Sequence, residues 1–435
     1  MKKTTILKYL AICAAVGLVA WLGKRQEKPI VLEFGMFAQS NWEVEDANAY
    51  VVIDQAIRKF EKSHPGVKIY YESGIRKADY SEWLSRKVLS GKTPDMFMIL
   101  PDDLYRYASL DVIENLNQKM EGDGKFKKEY FFKTALQMGQ YRQGQYALPY
   151  ETVPTLMFVN KTLLEQEGIQ VPSADWTWED LEAISEKVTK DTNGDGVIDQ
   201  FGTYNYTWKE AAYSNGAELF DADGEKAYFS GDRVGEAVKF VQRLEEQNGG
   251  STVTQDDFDS GRVAFMPLSF SDYRTYKTYP YKIKKYTSFQ WDCTRMPAGP
   301  TGGNTSEVDT LMMAMSKRSK HQDLAWEFIK LLTADSEIQR EVMRMSQGAS
   351  VLKYVTGSSF AGSVIRQEMD VDERVIDYEL LRDVLETGKV KPRFPKYSEA
   401  MALAENRIRE IYKNEKNVDS ALKIFQRDIT KFLKE

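Results

Sequence analysis

The sequence predicts an α/β fold in two lobes joined by chain crossings, and three observations carry that prediction. At 435 residues the chain exceeds what one small core fills, and two lobes of roughly 150–200 residues are the default. From residue 30 to residue 100, strand-like and helix-like stretches alternate, the pattern of a mostly parallel α/β layer. That pattern is interrupted at Tyr146–Gly168 and starts again at Trp176, which marks a first crossing between lobes.

Each element has its own local justification. Ile30–Gly35 reads as the first strand, followed by the loop Ala38–Trp42. Val52, Ile53, Ala56, Ile57 and Phe60 share one helical face, and His64-Pro65-Gly66 stops that helix. Val67, Ile69 and Tyr71 alternate as a second strand; Tyr80–Leu89 is a helix with Trp83, Leu84 and Val88 inward; Asp95–Leu100 is a short buried strand. In such layers ligands bind in the loops beyond the C-terminal strand ends, here Gln39–Trp42 and Pro101–Tyr105. Within the crossing, Thr155, Met157 and Val159 alternate with Leu156, Phe158 and Asn160, so the stretch is strand-like; Asn160 and Lys161 open a short helix that Gly168 stops. Tyr150 and Glu151 are expected at the floor of a cleft. Thr177-Trp178-Glu179-Asp180 is a capping box with Thr177 as N-cap. Gly261–Met266 reads as a strand and Phe289–Cys293 as another. Pro297–Asn304 is the candidate second crossing, Leu311–Met315 an apolar run, and Gln347-Gly348-Ala349 a third crossing. The remainder is helical.

Composition narrows the function classes. The chain is 42% hydrophobic and 29% charged with a net charge of −6, an ordinary globular balance that offers no basic face to a nucleic acid. Cys13 and Cys293 are the only cysteines and His64 and His321 the only histidines, so neither a zinc site nor a Ser-His-Asp triad has the material it needs. Lys2, Lys3 and Lys8 precede or enter the apolar run Ile6–Leu22, and Lys24 and Arg25 follow. This is a membrane-targeting segment outside the fold, at the short edge for a spanning helix. Ile12 stands where lipidation of Cys13 would need a small residue. An uncleaved anchor is the favoured reading, with cleavage after Ala20 as the alternative; the body is exported in each case.

Asp191, Asn193, Asp195 and Asp199 occupy positions 1, 3, 5 and 9 of a calcium loop, with Gly196 at the turn and the Val197 carbonyl at position 7. Gly202 stands at position 12, where a bidentate carboxylate belongs, so Glu210 or Glu218 would have to finish the shell. The expectation is a structural Ca2+; a metal-free Asx-type turn is the other reading.

The chain resembles the bacterial family 1 extracellular solute-binding proteins, the sugar-binding components of ABC importers. The resemblance rests on Phe60–Val67, Pro94-Asp95, Tyr146–Tyr150, Phe158–Lys161, Thr177–Leu181, the acidic loop through Gly202, Gly261–Met266 and Ala325–Lys330, in that order. It implies a two-lobe periplasmic-binding-protein type II fold, a hinge of about three crossings and an interlobe ligand cleft. It implies transport and no catalysis, with permease subunits as partners and the chain itself a monomer. The implied division is 1–28 as signal or anchor, 29–149 with 307–346 as the N-lobe, and 150–306 with 347–435 as the C-lobe. The sequence departs from the family in lacking a lipobox and in following Gly348 with Ala349-Ser350-Val351.

A sugar shows hydroxyls around an apolar ring face, so its site needs an aromatic platform with amides and carboxylates. Trp42 with Gln39 and Asn41 offers this in the first lobe, and Tyr150 and Glu151 lie at the crossing. Asp102, with Asp103 and Tyr105, either lines the cleft or caps the next helix. Trp208, and Trp291 with Asp292, are platforms or packing residues. Ser269 and Arg274, with Asp272 between them, follow the Gly261 strand, where the resemblance implies ligand contact. Glu307 and Gln347 lie near the later crossings. A glycoside hydrolase would need two carboxylates set about 5 Å or about 6.5–9.5 Å apart, and no stretch singles out such a pair. A membrane-anchored sugar sensor is the remaining alternative.

Overall fold

The computed structural model of the protein describes residues 28–38, 41–42, 49–275, 289–368, 377–414 and 417–435. The apolar N-terminal segment with Cys13, and Gln39, lie outside the described residues.

The first lobe opens as expected. Strands β1 (Ile30–Gly35), β2 (Val67–Tyr71) and β3 (Met96–Ile99) pair in parallel in the order β2-β1-β3. Helix Ala49–Ser63 lays Val52, Ile53, Ala56 and Phe60 against them, and burying a side chain of the size of Ile53 or Phe60 contributes about 1.5–3 kcal/mol. Helix Lys77–Leu89 buries Tyr80, Trp83 and Leu84. A small hairpin follows, β4 (Gln140–Tyr141) with β5 (Gly144–Gln145).

Strand β6 (Ala147–Asn160) is fourteen residues long and unites the two halves of the Tyr146–Gly168 stretch in one element. In the second half of the chain come β7 (Phe201–Thr203), β8 (Val263–Ser269), β9 (Trp291–Thr294), β10 (Val308–Met315) and β11 (Ala349–Ser350). The sheet runs β2-β1-β3-β10-β6-β8-β7, with β9 and β11 also on β6. The N-terminal half of β6 pairs with β10 and β11, and its C-terminal half pairs with β8 and β9. One strand therefore belongs to both lobes. All four of these pairings are antiparallel, so the layer is less parallel than expected: β10 returns from the far lobe and runs against β6, and β11 follows the first-lobe helices and does the same.

Alternation along β6 divides two cores, with Leu156 and Phe158 in one and Met157 and Val159 in the other. The first core fills the N-lobe and continues through the hinge. The second fills the C-lobe behind helices Tyr397–Asn414 and Val418–Lys434. The described residues between β11 and Thr387 side with the first lobe: helix Tyr378–Thr387 packs on helix Lys133–Met138 and on β6, and the Thr134 hydroxyl donates to the Leu385 carbonyl at 2.6 Å. The C-terminal part is thus shared between lobes, more finely than a boundary at residue 347 allows.

The Asn160 side chain accepts from the Leu163 amide to start helix Lys161–Gln166. The Thr177 capping box closes with Asp180 as its partner. The loop Pro297–Asn304 is not the second crossing. It is tied into the C-lobe by the Asn304 amide, which donates to the Trp176 and Met296 carbonyls, and by the Gly299 amide on the Ser214 carbonyl. The crossing comes after it, where the Thr155 amide donates to the Glu307 carbonyl and β10 begins.

Candidate interlobe binding site

The three crossings meet at β6. Between Pro149 and Glu151 the register with β10 slips, leaving Tyr150 as the unpaired residue of a bulge, and its carbonyl accepts from the Gln339 side-chain amide at 2.9 Å. Tyr150 and Glu151 are both buried at 3% exposure, so they lie under the cleft and not on its surface. The third crossing locks onto Glu151: its Oε1 accepts from the Gly348 amide at 2.7 Å. A Cβ on Gly348 would stand 2.3 Å from that same oxygen, so only glycine lets the chain approach this closely. Arg274 donates to the Gly348 carbonyl at 2.8 Å and is itself buried, so it braces the crossing. Burial pushes the Glu151 carboxyl up to about 7, against the Trp42 indole, the Ser346 hydroxyl, the Gly348 amide and the Arg274 charge, which all pull it down.

Above this floor lies a recess of about 300 Å³ lined from both lobes. Asn41 and Trp42 come from the first-lobe loop, Val153 and Thr155 from β6, Ser269 and Asp272 from the end of β8, and Glu307 and Asp309 from the second crossing. Strand alternation puts Glu151, Val153 and Thr155 on one face, which explains why Glu151 lies just beneath. Ser269 is held by a reciprocal cap: its hydroxyl donates to Asp272 Oδ2 at 2.6 Å and accepts from the Asp272 amide at 3.0 Å.

A second recess of about 340 Å³ adjoins it, lined by Tyr105, Tyr141, Arg142 and Gln140 on one side and by Asp223, Lys391 and Arg393 on the other. The Glu307 carboxylate stands between the two, paired with Lys391 at 2.9 Å and Lys209 at 3.2 Å. Burial works against its charge, yet the two ammonium groups hold Glu307 below the ordinary carboxylate range. In turn Lys391, desolvated by burial, is raised by the Glu307 and Asp309 carboxylates. The residues near 390 reach the cleft because Lys389 runs beside the start of β10, its carbonyl accepting from the Val308 amide at 2.9 Å.

Of the residues singled out in the sequence, Asn41, Trp42, Ser269 and Glu307 come together in the first recess. Asp102 is exposed at the start of helix Pro101–Ser109 and faces Ser398 of the other lobe at 3.5 Å. Trp208 and Trp291 are not platforms. Trp208 is 2% exposed with its indole donating to Glu405, and Trp291 stacks on Phe158 at 4.5 Å inside the core. Asp292 turns back on its own strand, accepting from the Cys293 amide. Lys77, Val153, Thr155, Asp309, Lys391 and Arg393 were not singled out. Two prolines bracket Arg393 in an otherwise helical region, a signal that the chain there is extended and free to line a cleft.

The acidic loop folds on itself. Asp191 accepts from the Gly194 and Gly196 amides at 2.7 Å each, Asp195 from the Val197 amide, and Asp199 from Thr192 and Asn193. Glu210 is spent on the capping box of helix Trp208–Ser214, and Glu218 lies exposed on the rim of a different cavity. Among the described residues no three acidic, histidine or cysteine side chains gather to hold a metal ion. The fit to calcium is therefore incomplete: the carboxylates face backbone amides, and position 12 has no donor.

Comparison with known proteins settles the family. The pattern for bacterial extracellular solute-binding proteins matches residues 42–338. The chain belongs to that family. Its members are binding proteins and not enzymes. A binding protein of Brucella abortus is 22% identical over 386 residues, covering 85% of this chain and 87% of the relative. Among solved structures, the sugar-binding protein MalE of Xanthomonas citri superposes with a TM-score of 0.75 at 16% identity, over 93% of this chain and 97% of that one. An ABC substrate-binding protein of Listeria monocytogenes, solved in complex with cycloalternan, does so at 0.69 and 19%, over 93% and 99%. The cyclic alpha-maltosyl-1,6-maltose binding protein of Arthrobacter globiformis matches at 0.75 and 15%, over 93% and 99%. The two-lobe fold of these solute-binding proteins is the fold of this chain.

Proposed function

We propose that this solute-binding protein takes an oligosaccharide or related glycan between its lobes and delivers it to an ABC permease. The observation that carries the reading is the recess over Glu151, where an aromatic ring, an amide and three carboxylates converge from both lobes and from two crossings. An apolar sugar face stacks on Trp42, while Asn41, Asp272, Glu307 and Asp309 meet the hydroxyls, the pairing that sugar recognition requires. Two proteins of this fold carry such cargo: the Listeria neighbour holds cycloalternan, and another similar structure is a protein with mannotriose bound. Delivery to a permease at the membrane is supported by the family and by the basic-apolar N-terminal segment, read as an anchor or an export signal; among the described residues no helix is long and apolar enough to cross a membrane.

Isothermal calorimetry of the exported body against a glycan panel tests the proposal. One glycan class should bind at one-to-one stoichiometry, and Trp42→Ala should weaken it by tenfold or more, about 1.4 kcal/mol or above. Turnover of the glycan, or binding of a peptide in place of any sugar, would remove the carbohydrate reading and leave the fold.

A further inference from the structure

Arg393 lies on the wall of the second recess. Its Nε and Nη1 are shielded from solvent and have no hydrogen-bond partner among the described residues. Its Nη2 meets the Met138 sulfur at 2.7 Å, and a thioether is a weak acceptor. Burial lowers this guanidinium to about 10, with Asp309 and Asp102 opposing that shift from beyond ion-pair distance, so it carries its charge at neutral pH. Arg393 is half-buried, and a cation with two shielded, unsatisfied donors is costly unless something arrives to meet it. The acids nearby are committed elsewhere. Asp309 accepts from the Thr310 amide and faces Lys391 at 3.7 Å, and Asp102 faces Ser398. The recess itself holds three cations, Arg142, Lys391 and Arg393, against one carboxylate, Asp223. Glu307 on the partition engages Lys391 from the side of the first recess.

We infer that the second recess is a subsite for an anionic group on the glycan, a carboxylate or a sulfate, met by Arg393 with Arg142 at the entrance. This deepens the proposal above and rests on it: a sugar ring lies over Trp42, and the chain continues past the Glu307–Lys391 pair to an acidic unit. Arg142 suits the entrance because it sits exposed on the tight turn between β4 and β5 with φ 52°, its guanidinium 5.1 Å from the Tyr141 ring. The two-residue turn carries the exposed Arg142 to the recess, whereas Arg393 is half-buried in its wall.

Calorimetry with hexuronate-containing di- to tetrasaccharides, each paired with its carboxyl-reduced counterpart, and with sulfated disaccharides paired with their desulfated forms, tests this. The protein should prefer one acidic class over its neutral partner by about tenfold or more; which class wins identifies the anion. Arg393→Met should bring that ratio close to one. Arg142→Gln, on an exposed turn where folding is not at stake, should lower the ratio several-fold and keeps the test decisive should Arg393→Met unfold. Equal affinity for acidic and neutral partners in the unaltered protein, or a preference that survives both substitutions, overturns the inference and leaves carbohydrate binding standing. Failure of every glycan, acidic or neutral, overturns the carbohydrate reading and this subsite together.

Discussion

Glu151 is the residue whose chemistry depends most on its surroundings. Burial raises the native carboxyl to about 7, while the unfolded chain releases its proton near 4.5, the ordinary glutamate value. Between those values the native state binds more protons, so stability from this group is complete below the unfolded value and is lost as pH rises through the native one. The shift bounds the effect at about 3 kcal/mol. Urea unfolding at about pH 5 and about pH 8 should show the protein losing stability on the alkaline side, with Glu151→Gln losing less between the two. The glutamine keeps an oxygen for the Gly348 amide, so a variant with the same pH slope would show that this carboxyl is not the source. Trp42 illustrates a different point: its type and its loop were readable in the sequence, but its meeting with Thr155 and Asp309 required the crossings to converge.

Among the elements, the 191–199 turn shows how spacing and geometry part. Gly194 and Gly196 hold φ of 80° and 86°, which turns the backbone amides inward onto Asp191. The Gly196 amide foremost, with those of Gly194 and Asn193, holds the Asp191 carboxyl below its ordinary range. The carboxylates of the turn are met by amides and a hydroxyl within it. Added calcium should therefore leave the melting temperature unmoved in differential scanning calorimetry, whereas Asp191→Ala should cost about 1 kcal/mol through the lost amide bonds. A calcium-dependent rise in melting temperature that Asp195→Asn abolishes would restore the ion. The same regular spacing that suggests a metal loop also suits an Asx turn, and only the directions of the side chains distinguish them.

For the molecule as a whole, function lies in the relation between lobes. A ligand shifts that relation only by binding one arrangement better than another. The recess has walls from the first-lobe loop, from β8 and from the first and second crossings, so a guest bridging Trp42 and Asp272 favours approach of the lobes. Small-angle scattering at saturating glycan should show a smaller radius of gyration than without it, and Trp42→Ala should lose the change at the same concentration. An unchanged radius in the presence of bound glycan would rule out closure as the response.

What the sequence determined alone was local. Capping residues, periodicity and turn glycines specify Thr177 as an N-cap, the alternating face of β6 and the break at Gly348, because each acts through neighbours within a few residues. Family membership was equally legible, since it rests on short motifs in order along the chain. Which tryptophan lines the recess and which pack was left to the tertiary structure: Trp42, Trp208 and Trp291 look alike in sequence, and only long-range contacts bury two of them. The placement of Lys391 beside Glu307, with Arg393 on the wall of the same recess as Lys391, was decided in the same way. Residues more than eighty apart in the chain meet there because the C-terminal strap runs along β10, and no local pattern encodes a contact of that range.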